Sequence, residues 1–74
     1  MKEYRLGFVL EIQNGLMNAL FENMVKEHLP EIELVFDKRS ESGFEYDAYT
    51  DVLDNLFLLG MAVSTIYNKI DRMK

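Results

Sequence analysis

Tyr4-Arg5-Leu6-Gly7-Phe8-Val9-Leu10-Glu11-Ile12 can be read in two ways, and the choice decides the fold. Every second residue from Tyr4 to Ile12 is apolar, the pattern of a strand with one covered face. On a helical wheel the same residues join those of the next dozen positions. Leu6, Val9, Leu10, Ile12, Leu16, Met17, Leu20, Phe21 and Met24 share one broad arc, with Gly7, Glu11, Asn14, Gly15, Asn18 and Glu22 opposite. That is an amphipathic helix with a wide buried face. Gly7 and Gly15 each cost about 1 kcal/mol relative to Ala inside a helix, but the helical reading puts both on the wet side. The strand reading leaves Val9 on the wrong face. The expectation carried forward is one long helix from Tyr4 to His28. The alternative is a strand over residues 3–12, a break at Asn14-Gly15 and a helix over residues 15–29.

Pro30 ends the first helix at or before Leu29. After it Ile32, Leu34 and Phe36 alternate with Glu33, Val35 and Asp37, and Phe44 and Tyr46 alternate with Glu45 and Asp47. Arg39-Ser40-Glu41-Ser42-Gly43 between them is a turn-forming cluster. The spacing predicts a short β-hairpin, with a brief helix starting at Pro30 as the rival. A hairpin is marginal alone, so its apolar face must pack on the helices.

The last third carries Tyr49, Val52, Leu56, Leu59, Val63, Ile66, Ile70 and Met73 in alternating steps of three and four. This predicts a helix from about Asp47 to Met73, with Asp47 or Thr50 at its cap and Lys69, Arg72 and Lys74 at its negative end. Its polar face should hold Asp47, Asp51, Asp54, Leu58, Met61, Thr65, Lys69 and Arg72. The middle of that face is Leu58 and Met61, so between Leu56 and Val63 the helix is apolar all round, and such a helix is buried all round. One partner helix and a hairpin do not cover it.

The expected fold is therefore a single domain over residues 1–74, mainly α: an antiparallel helical hairpin with a short β-hairpin or irregular connection, pairing into a dimeric four-helix bundle. The alternative is α+β with the order βαββα. Leu56, Leu58, Leu59, Met61, Val63, Ile66, Tyr67 and Ile70 are the expected oligomer interface.

Composition agrees with assembly. The chain has 74 residues, 49% hydrophobic and no Cys, so disulfides and thiolate metal sites are excluded. Small domains without them commonly gain stability by oligomerisation. The longest apolar run, Leu56 to Val63, falls well short of the roughly 20 residues that span a membrane. With no signal-peptide pattern at the N-terminus, the reading is a soluble, cytoplasmic protein.

Net charge is −5. Glu31, Glu33, Asp37, Glu41, Glu45, Asp47, Asp51 and Asp54 face only Lys38 and Arg39 within residues 31–54. That disfavours direct binding to nucleic acid or to an anionic membrane. It leaves a docking surface for a basic protein, with Glu31, Glu33, Asp37, Glu41, Glu45, Tyr46 and Asp47 as its residues.

Chemistry is sparse. His28 is the one histidine, and no second His or Cys completes a transition-metal site. It reads as a cation at a helix C-terminus. Asp47, Asp51 and Asp54 lack the calcium-loop pattern and read as a solvated helical face. Ser40, Ser42 and Ser64 have no nucleophile-elbow context, and no glycine pattern cradles phosphate. The expectation is no enzyme, no cofactor and no metal. The expected function is a non-catalytic protein–protein interaction or regulatory module acting as a homodimer. The alternative is a small acidic inhibitor of a nucleic-acid-handling enzyme.

Overall fold

The computed structural model describes residues 2–72. Its elements run β1 (Tyr4–Leu10), α1 (Gly15–His28), β2 (Glu33–Ser40), β3 (Gly43–Thr50) and α2 (Asp54–Arg72). The mainly α reading is overturned. The chain is a small α+β fold with one three-stranded antiparallel sheet, order β1-β3-β2, and two helices. The order of elements is that of the alternative reading, and the described residues form two helices with a three-stranded sheet rather than a helical hairpin or a four-helix bundle.

The long first helix fails because β1 finds its partner far along the chain. Tyr4, Leu6, Phe8 and Leu10 stand opposite Thr50, Ala48, Tyr46 and Phe44 of β3. The alternation therefore meets a matching alternation, and cross-strand pairs stabilise the strand. Val9 does point away from the core, on the open face of the sheet, which tolerates an isolated apolar side chain.

The break falls at Asn14-Gly15. The Asn14 side chain accepts the Leu16 backbone N–H at 2.8 Å and caps α1. At the other end the Leu29 N–H donates to the Val25 carbonyl at 2.8 Å, and Pro30 ends the pattern. The β1–α1–β2 unit thus carries the chain between two parallel edge strands, with β3 inserted between them.

β2 and β3 form the expected hairpin, with a bulge between Phe36 and Lys38. Gly43 closes its turn at φ 140°. A Cβ there would lie 2.1 Å from the Leu10 carbonyl oxygen, so only glycine fits where the end of β1 crosses the hairpin. The chain after β1 is stitched to the same tip. Arg39 Nη2 donates to the Gln13 carbonyl at 2.8 Å, and Gln13 Nε2 donates to the Glu41 carbonyl at 3.0 Å.

The last helix begins later than its periodicity suggests. Asp47 and Tyr49 belong to β3, and Val52 to the connection. Thr50, fully buried, accepts the Val52 N–H at 3.2 Å and the Asn55 Nδ2–H at 3.1 Å, which turns the chain from strand into helix. Met73 and Lys74 lie outside the described residues.

Both helices pack on one face of the sheet. Phe21 and Val25 of α1 and Leu59 and Ile66 of α2 join Leu10, Phe44, Tyr46 and Ala48 in a single core. Phe8, Tyr46 and Phe36 form an aromatic row across all three strands, each neighbouring pair 5.6 Å between ring centroids, with Phe21 set edge-on against Phe8. The Tyr67 hydroxyl accepts the Glu11 N–H at 2.9 Å and pins the second half of α2 beyond the end of β1.

Candidate interaction surface

The sheet takes the role that the sequence reading gives to a second chain, but only on one side of α2. Leu59 and Ile66 are buried in the core of the chain itself, and Leu56, Val63, Tyr67 and Ile70 are half-buried against it. These six residues of the expected interface are therefore occupied within the chain, since the seam packs on a core that α1 and the sheet build together. Leu58 and Met61 are the two that remain outside, 44% and 66% exposed.

They have company. Phe57 is 68% exposed and Leu53, one residue ahead of the helix, 46%. With roughly 200 Å² for each free side chain, these four make an apolar patch on the order of 400 Å², within the size range of functional patches on monomers. By the three- and four-residue step, Phe57, Gly60, Met61, Ser64 and Asn68 share the outward face of α2, and all five are exposed and uncharged.

Beside this face lies a groove of about 320 Å³ between the helices, lined by Met24, His28 and Leu29 of α1 and its C-terminal cap and by Leu58, Met61, Ala62 and Thr65 of α2. The Thr65 hydroxyl donates back to the Met61 carbonyl at 3.0 Å, so it is satisfied within the helix and the groove wall is mainly apolar. Phe57 is absent from the residues expected at the interface. Its signal is present in the sequence, four positions before Met61, but it lies off the apolar seam that defines that expectation.

The acidic residues do not gather into one surface. Glu33, Glu45 and Asp47 lie on the open face of the sheet, Glu41 at the hairpin tip, Asp37 at the bulge and Glu31 at the far end beside Lys2. On the open face two of the three acids stand against a cation. Arg5 Nη2 meets Asp47 Oδ1 at 3.0 Å, and Lys38 stands opposite Glu45. The hydrogen bond and charge of Asp47 hold the Arg5 guanidinium still more firmly protonated than usual.

Tyr46 is buried in the aromatic row and is not a surface residue. Its hydroxyl donates to Glu22 Oε2 at 2.8 Å and also meets Asn18 Oδ1. Burial first, and then the bond to the Glu22 carboxylate, push its ionisation well above the ordinary tyrosine value. The parity of β3 signals this: Tyr46 shares a face with Phe44 and Ala48, not with Glu45 and Asp47.

His28 lies exposed at the end of α1. Among the described residues no group of three or more His, Asp or Glu is placed to hold a metal ion, and no helix is long and apolar enough to cross a membrane. No protein-family model, curated protein or solved structure matches the chain.

Proposed function

We propose that the protein is a non-catalytic interaction module that works as a homodimer through the outer face of α2. One observation carries the reading: Phe57 and Met61 stand two-thirds exposed side by side on a regular helix whose inner face is already satisfied. Exposed apolar side chains clustered on a rigid element mark a contact surface. Burying each of two such residues gains roughly 1.5–3 kcal/mol. Against a total stability of roughly 5–15 kcal/mol, that is enough to hold a small domain together with a partner. The absence of Cys supports placing it in the reducing cytoplasm.

The acidic-inhibitor alternative draws less support, because the acids are scattered and two on the open face, Asp47 and Glu45, are set against Arg5 and Lys38.

Light scattering over a range of concentrations tests the proposal. The unaltered chain should sediment and scatter as a dimer. Phe57→Asp and Leu58→Asp should give folded monomers with unchanged circular dichroism. Reversing Glu33, Glu41 and Glu45 to Lys should leave the dimer intact. A monomer at every concentration, or a dimer indifferent to Phe57→Asp and Leu58→Asp, overturns the reading.

A further inference from the structure

The apolar face of α2 has the shape and the charge layout of a surface made to meet itself. Large and small residues alternate along it: Phe57, then Gly60 beside Met61, then Ser64. Gly60 lies inside a regular helix, exposed, and a Cβ built on it meets nothing within 4 Å. Among the described residues neither a close contact nor a positive φ calls for a glycine there, and glycine is a poor helix former. Small residues on an outward helix face let another helix backbone approach closely.

Charge fixes the direction of approach. The first turn of α2 is acidic at Asp54, and its last turn carries Lys69 and Arg72 with Asp71 between them, a net positive end. A parallel neighbour would set like charge against like. An antiparallel one sets acid against base at both ends and opposes the two helix dipoles.

We infer that two copies pair through antiparallel α2 helices, with the two-fold axis passing between Gly60 and Met61. That register sets Phe57 against the partner's Ser64, and Met61 over the partner's Gly60. Asp54 then lies near the partner's Lys69. Phe57 and Met61, the two most exposed side chains of the face, each meet a small residue, the self-complementarity that a two-fold interface demands. The apolar patch supplies about half of the roughly 800 Å² that each partner gives to a standard interface. Thr65 and Asn68 supply an uncharged rim. This inference rests on the homodimer reading and specifies its geometry.

The chain has no Cys, so engineered thiols report the geometry cleanly. Phe57→Cys and Ser64→Cys proteins, mixed and oxidised mildly, should form a hetero-disulfide in high yield. Phe57→Cys mixed with Ala19→Cys, on the exposed side of α1, should not. Gly60→Leu, measured by sedimentation, should weaken the dimer at least tenfold while circular dichroism stays unchanged. Lys69→Glu should weaken it a few-fold, with recovery in the Asp54→Lys, Lys69→Glu double variant. A dimer that survives Gly60→Leu and gives no Phe57–Ser64 cross-link overturns this geometry and leaves the homodimer reading standing. A chain that stays monomeric up to millimolar concentration removes both.

Discussion

The two helices have the same task on the inside and opposite characters on the outside. α1 sinks Phe21 and Val25 into the core, and α2 sinks Leu59 and Ile66 into the same cluster. Outward, α1 carries a single bare apolar residue in its first turn, Leu16 at 79% exposed, and beyond it Asn23, Lys26 and Glu27, the solvated face of a surface helix. Over its middle turns α2 presents Phe57, Leu58, Gly60, Met61 and Ser64. Solubility favours the first arrangement and offers no reason for the second. The contrast is between one bare leucine on α1 and a cluster of bare apolar residues on α2.

The largest effects should come from the inner faces, where the helices are alike. Phe21→Ala removes the ring that meets both Phe8 and Tyr46, and should cost about 3–5 kcal/mol of stability. Ile66→Ala, at a fully buried position, should cost about 2–5 kcal/mol. Denaturant titration in dilute solution measures both. If either cost falls below about 1 kcal/mol, that helix is not part of the cooperative core.

The outer faces should separate them. Phe57→Ala should change the stability of the dilute chain by no more than about 0.5 kcal/mol, as surface substitutions do. The same change should lower its stability strongly at high concentration, where association adds to folding. Glu27→Ala on α1 should be silent under both conditions. A Phe57→Ala effect independent of concentration would break the comparison, because it would make that ring part of the monomer core.

What is legible in the sequence follows the range of the interactions involved. The hairpin is readable because its signals are local: alternation from Ile32 to Phe36, a turn cluster, and alternation again from Phe44. The inner seam of α2 is readable because 3.6-residue periodicity is local too. β1 is not, since a short apolar stretch fits both periods and the arbiter is β3, far away in the chain. The misreading of the middle of α2 has the same root. With β1 taken as helix, only one partner helix and a two-stranded hairpin are left to cover α2, too little for a helix apolar all round. In the fold, only Phe57, Leu58 and Met61 of its large apolar residues remain bare. Tyr46 does not belong to an acidic surface, and its own alternation with Glu45 and Asp47 already places it on the other face.

Alkaline titration offers a finer probe of how α1 is held. Tyr46 hydrogen-bonds to Asn18 and Glu22 of α1, and its ionisation is raised in the folded chain. Its folded value lies above the unfolded value of about 10, so its contribution is fully present below that pH. It is lost as pH rises above about 10 toward the folded value. Stability attributable to Tyr46 should be flat from pH 7 to 9 and decline beyond. Tyr46→Phe should abolish that part of the decline at a cost of about 1 kcal/mol near neutrality. A slope above pH 10 unaltered in Tyr46→Phe would assign the alkaline sensitivity elsewhere.

The smallest effect is the most discriminating, because its sign depends on the state of assembly. Gly15 opens α1 and Gly60 lies within α2, and a Cβ on either meets nothing within 4 Å. Ala at an interior helix position gains up to about 1 kcal/mol over Gly. At Gly15, the first residue of its helix, the gain should be smaller, a few tenths of a kcal/mol, and the same at every concentration. At Gly60 the dilute chain should gain close to the full amount. At high concentration the added methyl group enters the space where a second α2 would approach, so the gain should shrink or reverse. Thermal unfolding of both variants at low and high concentration measures the difference. If Gly60→Ala raises stability equally at both, α2 keeps an exposed glycine for some reason other than close helix contact, and the two helices differ only in the chemistry of their outer side chains.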